Sequence, residues 1–316
     1  MADFIDVAVI GGGPAGLTAA ATLARQLHTA VVFDSKSYRN AKASHMHMVP
    51  GWENKNPQEF RSTTKSEIQS NYSSIQFADV AVTYIEKKDD AHFIVSDADG
   101  KKRNFRKIIL AVGSSDTYPN IEGYEDLWAK RIFHCLFCHG YEDRGASSVG
   151  VLGVFPVVLA PFVVHMAENA AQLSDTVTIY TQGNEELTTQ LNPVAGAKFK
   201  IESRPIKRLI DNETTGSVTV EFIDGAQKEE KFLVHNPLTS VQGPFVAQLG
   251  ITLTPTGDIK ADAASLHQTN IRGVFAAGDC ITPYKVIPGA ISSGCNAAVA
   301  ASTQLQAEKY GQPSMV

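Results

Sequence analysis

Short apolar runs bounded by glycine-rich turns, with helical spacing of small and apolar residues between them, set the organisation of the chain. Residues 4–10, FIDVAVI, read as a buried strand, and AGLTAAATLARQL after the glycines reads as a helix. TAVVFDS is a second strand ending at Asp34, so these three pieces make a βαβ unit. Further strands are expected at VAVTYIEKK, HFIVS and RKIILAVG, with Asp97-Ala98-Asp99-Gly100 as a hairpin turn between the last two. From about Tyr118 the chain changes character, and YPNIEGYED reads as a linker rich in turn formers. The pattern then repeats as strand SVGVLG, an apolar helix from Ala160 to Leu173, and strand TVTIYTQ, with strands near SVTVEFI and KFLVH closing the segment. The chain turns loop-like from His235 to Gly243. GVFAAGD is another buried strand, and a small-residue helix is expected from Gly289 to Leu305. The simplest architecture is α/β: two Rossmann-like, three-layer dinucleotide-binding domains, the second inserted into the first. Residues 1–116 and 236–316 form one domain and residues 117–235 the other.

Length agrees with this division, because 316 residues suit two domains of roughly 100–200 residues each. Hydrophobic content of 43% with 19% charged residues is that of an ordinary globular chain. A net charge of −5, without a Lys/Arg stripe, argues against nucleic acid as a partner. The uncharged run from Val149 to Val164 contains Pro156 and Pro161 and is too short to span a membrane, so it reads as strand, loop and helix start. The N-terminal MADFIDVAVIGGG places acidic residues where a secretory signal needs basic ones, which leads us to expect a cytoplasmic protein.

Gly11, Gly13 and Gly16 stand between the first strand and helix in GxGxxG spacing, with Pro14 and Ala15 in the same turn and Asp34 closing the next strand. Gly11 permits the tight turn, Gly13 lets the backbone approach a pyrophosphate, Gly16 lets helix and sheet pack closely, and Asp34 can accept from a ribose diol. The far end supplies AAGD at 276–279. This resembles two-dinucleotide flavoproteins, which implies FAD. By that resemblance Asp279, after Gly278, holds the ribityl chain, and the backbone near Val286 and Ile287 meets the pyrimidine end of the flavin. Gly113, at the exit of RKIILAVG, is counted with these positions, as are Arg39 and His45 in the loop after Asp34.

Only four cysteines occur, two of them in His134-Cys135-Leu136-Phe137-Cys138-His139. CxxC spacing suits a redox disulfide, half of a metal site or packing. A zinc site wants a second CxxC or paired histidines, and Cys280 and Cys295 are separated by 14 intervening residues in the wrong context. The FAD fingerprint, the CxxC and the terminal Gly-Asp together resemble the low-molecular-weight thioredoxin reductases over nearly the whole chain. The resemblance implies that Cys138 faces the flavin and Cys135 meets the substrate. The next residue, normally Asp in that family, is here His139. With a pKa near neutrality, it would suit deprotonation of a small dithiol. His134 is a second candidate for proton work.

A thioredoxin reductase also needs a second glycine turn for NADPH and a basic cluster for its 2′-phosphate. Here the strand exit reads Gly153-Val154-Phe155-Pro156-Val157-Val158, the next strand runs into YTQGNEEL, and no Lys or Arg occurs from 166 to 197. Phe155 crowds the turn, and a 2′-phosphate would meet Glu185 and Glu186. This departure, with CLFCHGYE, is similar to the fungal gliotoxin-type dithiol oxidases. It implies a small-molecule dithiol of the epidithiodiketopiperazine type as substrate, O2 as acceptor, H2O2 as product, and a homodimer. An NADPH-dependent reductase of the thioredoxin reductase kind and an idle FAD-binding module are the alternatives.

Overall fold

In β1 (Phe4–Ile10) an exposed first residue gives way to four successive buried ones, Val7 to Ile10. Burial on both faces is what a central parallel strand requires. The computed structural model describes residues 4–156 and 158–316, so Val157 lies outside the described residues. By its internal contacts the chain divides into two units. The first takes the chain up to Ala41, then Val49–Ser115, then Thr239 onward. After β1 come α1 (Pro14–Arg25), β2 (Ala30–Phe33), α2 (Pro57–Asn71), β3 (Ile75–Ala78), β4 (Val82–Asp89), β5 (His92–Asp97), β6 (Lys102–Leu110) and β7 (Ser114–Thr117). The sheet runs β3-β2-β1-β6-β5-β4. Its β3-β2-β1-β6 half is parallel, with Val7 opposite Ala30 on one side and Lys107 on the other. β4 and β5 add an antiparallel flank. Sequence patterning did not predict α2. It is started by Asn56, whose side chain accepts from Gln58 N–H, and by Pro57 in its first turn, yet it buries few apolar residues.

The second unit comprises Lys42–Met48 and Asp116–Leu238. It contains α3 (Tyr124–Leu127), β8 (Ile132–Phe133), β9 (Ala146–Leu152), α4 (Ala160–Ala171), β10 (Ser174–Tyr180), α5 (Glu185–Leu191), β11 (Phe199–Glu202), β12 (Ile206–Asn212), β13 (Ser217–Phe222), β14 (Gln227–Glu230) and β15 (Leu233–Val234). The parallel sheet is ordered β11-β10-β9-β15-β8, and β12-β13-β14 form a separate antiparallel sheet. α4 covers the parallel sheet with Val163, Met166, Ala167 and Ala170.

The chain returns to the first unit through β16 (Leu238–Val241), which pairs with β7. α6 (Phe245–Leu249), β17 (Val274–Ala276) and α7 (Ile287–Tyr310) follow. β17 runs parallel to the last residues of β6, with Ala276 opposite Leu110. α7 is longer at both ends than the expected helix and stops at Gly311, which has φ +62°. The whole is α/β with two Rossmann-like units, the second within the first. Among the described residues, no helix is long and apolar enough to cross a membrane.

Candidate active site

The turn from β1 to α1 is shaped by what its glycines exclude. Gly11 has φ +121°, and a Cβ there would lie 2.1 Å from the Ala111 carbonyl oxygen, while one on Gly16 would lie 1.9 Å from that of Gly11. Neither position admits a side chain. A Cβ on Gly13 would meet nothing within 4 Å, so the turn is open there, at the cap of α1, with Pro14 just inside the helix. An anion on that face meets the N–H groups and positive end of the helix.

Asp34 is buried, and its carboxylate accepts from Lys36 N–H at 2.9 Å, from Lys36 Nζ at 3.1 Å and from the Tyr38 hydroxyl. Burial and this carboxylate push the Tyr38 hydroxyl up to about 12, so it stays protonated as a donor. Lys36 and Tyr38 had no signal in the sequence beyond lying in the loop. The fold brings that loop to the other end of the chain, with Arg39 Nη1 3.9 Å from Asp279 Oδ2. The Asp279 carbonyl accepts from Ser114 Oγ at 3.0 Å and Lys285 Nζ at 2.7 Å, and Lys285 also pairs with buried Asp258 at 2.9 Å. Gly278, with φ +83°, donates its N–H to Ser293 Oγ at 2.9 Å. Gly113 takes φ +71°, Val286 caps α7 and Ile287 opens it.

In the second unit Cys135 and Cys138 form a disulfide with a Cα separation of 5.3 Å. The Cys135 carbonyl accepts from Cys138 N–H at 3.2 Å and His139 N–H at 3.1 Å, closing a tight turn. Gly140 continues it at φ +99°, where a Cβ would press on Leu136, Leu173 and Phe232 at 3.1–3.4 Å. The His139 ring stacks on Phe133 of β8 at 5.2 Å. The His134 ring is tilted against that of Trp128 at 5.8 Å. Phe137 and Tyr141, in the same segment, are 66% and 62% exposed.

His139 departs from the expected near-neutral value. Burial first, and then the His45 imidazole, push it down to about 4, against the opposing pull of Glu142. His45 belongs to the second unit, with its ring 5.3 Å from that of His139 and 5.0 Å from that of His47. His47 Nε2 is 3.0 Å from Glu142 Oε1. Burial alone would raise the Glu142 carboxyl, but a main-chain N–H and the neighbouring imidazoles hold it below its ordinary value. One nitrogen or oxygen from each of His45, His47 and Glu142 lies within 4.8 Å of the others. His47 and Glu142 lie within ion-pair distance of each other, so we read the trio as a titratable cluster. His47 and Glu142 were not singled out from sequence. Their only signals were the repeated histidine in HMH and the acid closing CLFCHGYE.

The second nucleotide turn, after β9, is unlike the first. Phe155 is 68% exposed and Leu159 71% exposed where a phosphate would need bare backbone, and both stand before or at the start of α4. Glu185 and Glu186 occupy the first turn of α5, just past β10. Arg204, beyond the neighbouring β11, is engaged by Glu202 at 2.7 Å and Asp224 at 3.2 Å.

A dinucleotide cradle in one Rossmann-like unit and a CxxC disulfide in another define a thiol/disulfide oxidoreductase. Residues 5–294 match the pyridine nucleotide-disulphide oxidoreductase family, and the chain belongs to it. It is 44% identical to thioredoxin reductase aclD of Aspergillus oryzae, over 96% of this chain and 97% of that one. It is 40% identical to thioredoxin reductase tcpT of Claviceps purpurea, over 99% and 98% of the two chains. The solved structure of the putative thioredoxin reductase TrxB of Bacillus anthracis matches with a TM-score of 0.86 at 25% identity, covering 97% of this chain and all of the other. The chain is therefore a thioredoxin reductase-like flavoprotein of an FAD-binding family. The cradle fits FAD at the open face of Gly13 and the N-terminus of α1.

Proposed function

We propose that this chain is an FAD-dependent dithiol oxidase that closes a disulfide in a small-molecule dithiol of the epidithiodiketopiperazine type. O2 is the electron acceptor and H2O2 the product. The reading rests on the second nucleotide turn, where exposed Phe155 and Leu159 and the acidic start of α5 oppose a 2′-phosphate. Gly11, Gly13, Pro14, Ala15, Gly16, Asp34, Arg39, Gly113, Gly278, Asp279, Val286 and Ile287 hold the cofactor in this reading; His45, counted with them from the sequence, lies in the second unit beside His139 and is not placed with them here. Bound FAD supplies the two-electron couple between the cysteine pair and O2.

A substrate thiolate attacks Cys135 Sγ, the Cys135–Cys138 bond breaks, and Cys138 leaves as thiolate. The second substrate thiolate then attacks the substrate sulfur of the mixed disulfide, releasing the cyclic product and the Cys135 thiolate. Two electrons now rest on the cysteine pair, and two protons have left the substrate. His139, neutral at physiological pH, takes each proton in passing, and His134 remains a second candidate. Exposed Phe137 and Tyr141 offer apolar contact to the substrate body. A homodimer, a cytoplasmic location and a place in secondary metabolism belong to the same proposal. The names of the relatives favour a second reading, NADPH-dependent reduction of a thioredoxin-like protein.

Anaerobic mixing separates the two. A small dithiol is expected to bleach the bound flavin and NADPH to leave it yellow. Readmitted air should restore the colour with one H2O2 per dithiol, and Cys135→Ser should abolish both phases. Rapid bleaching by NADPH with none by dithiol would overturn the proposal.

A further inference from the structure

Each turnover of the proposed oxidase strips two protons from its substrate, and the first must be gone before the second is taken. The geometry points to His45, His47 and Glu142 as a proton path that relieves His139 and carries each proton to solvent. The direction of flow rests on the oxidase reading; the path itself rests on the arrangement of side chains within the second unit.

His139 is a poor place to keep a proton. It is half-buried, stacked on uncharged Phe133, and the charged or titratable groups acting on it are His45, Glu142 and His47. The His45 ring is its neighbour at 5.3 Å. Ser44 Oγ fixes His45 at Nδ1 with a 2.8 Å hydrogen bond, which leaves Nε2 as the exchanging nitrogen. That Nε2 is buried and meets no hydrogen-bond partner among the described residues.

A buried polar atom without a partner is costly, and a bridging water commonly resolves it. The separation of up to 4.8 Å among His45, His47 and Glu142 is spanned by one water at about 2.8 Å from each neighbour. Beyond it, His47 and Glu142 are in direct contact at 3.0 Å, and side-chain exposure rises from 15% at His47 to 39% at Glu142. The path therefore runs from the half-buried His139 to an acid open to solvent.

His235 shows what a merely structural histidine looks like in this unit. It is wholly buried, with Nδ1 accepting from the Tyr124 hydroxyl at 2.7 Å and Nε2 donating to the Val154 carbonyl at 3.3 Å. Both of its nitrogens are used, whereas His45 has Nδ1 held by Ser44 and Nε2 without a hydrogen-bond partner among the described residues. His45, His47 and Glu142 are positioning residues, because they act on the thiols through His139.

The test is reduction of the Cys135–Cys138 disulfide in the FAD-loaded enzyme by dithiothreitol without oxygen. Samples are quenched in acid and the free thiols counted by alkylation and mass, while flavin absorbance is followed in parallel. Glu142→Gln and His45→Asn should each slow disulfide reduction about tenfold, a fraction of a full acid–base contribution. Added imidazole should restore most of the rate, and Glu142→Asp should stay close to the parent. Unchanged rates in both variants would overturn the path. So would losses that imidazole does not restore in variants with parental melting temperature and flavin spectrum. The oxidase reading fails separately, if the parent's cysteines are reduced while its flavin stays oxidised.

Discussion

Burial decides what the histidines and cysteines of this chain can do, and residue type alone does not. Cys280 is fully enclosed, with Sγ 3.2 Å from the Ala277 carbonyl, and burial pushes its thiol up to about 12. It therefore offers no thiolate at neutral pH. His139 moves the other way, and its neutral ring accepts a proton only in transit. His139→Asn should slow reduction of the cysteine pair by dithiothreitol about a hundredfold, read by quenched thiol counting. His235 gives a stability prediction with a definite sign. Burial holds it at about 4 in the folded protein against an ordinary value of 6.5. Its neutral form therefore contributes fully above about pH 6.5, and that contribution is lost as pH falls toward 4. The loss is about 3 kcal/mol. Urea unfolding of the parent should show this acid loss between those limits, and His235→Gln should flatten it. An identical pH dependence in the two proteins would count against it.

Two elements depend on contacts that leave little mark on local pattern. α7 crosses α1 where a Cβ on Gly294 would lie 2.2 Å from the Ala15 carbonyl oxygen. The crossing draws the two ends of the chain together over the nucleotide turn, and only glycine fits it. Gly294→Val should destabilise the protein by about 1–3 kcal/mol through overpacking. It should also lower the FAD content of the purified protein, read as the ratio of flavin to protein absorbance. Full flavin content with unchanged melting would refute it. Lys107 on β6 is wholly buried and donates to Glu308 of α7 at 2.6 Å and to the Asp90 carbonyl at 3.0 Å. A charge in that position reads locally as a solvent-facing residue, and only the return of α7 accounts for it.

At the scale of the molecule, the two nucleotide turns predict different ligand responses. A ligand that binds only the folded protein stabilises it by about 2.7 kcal/mol at a hundred times its Kd. FAD added to flavin-free protein should raise the melting temperature by several degrees, and NADPH at the same concentration should leave it unchanged. A comparable rise with NADPH would restore the reductase reading.

Much of this is legible in the sequence alone. The βαβ pattern, the glycine spacing, AAGD near the C-terminus and the CxxC determined the fold class, the cofactor and the redox chemistry. Each of these lies within a few residues of its partners or follows from strand and helix periodicity. α2 and the β12 and β14 edges escaped, because polar, half-exposed elements carry little periodic signal. Tertiary structure alone decided that the His45 segment joins the second unit beside His139. It decided too that His47 meets Glu142 and that His139 titrates far below neutrality. Proton affinity depends on enclosure and on charges brought together across the chain, and neither is written in the spacing of residues along it.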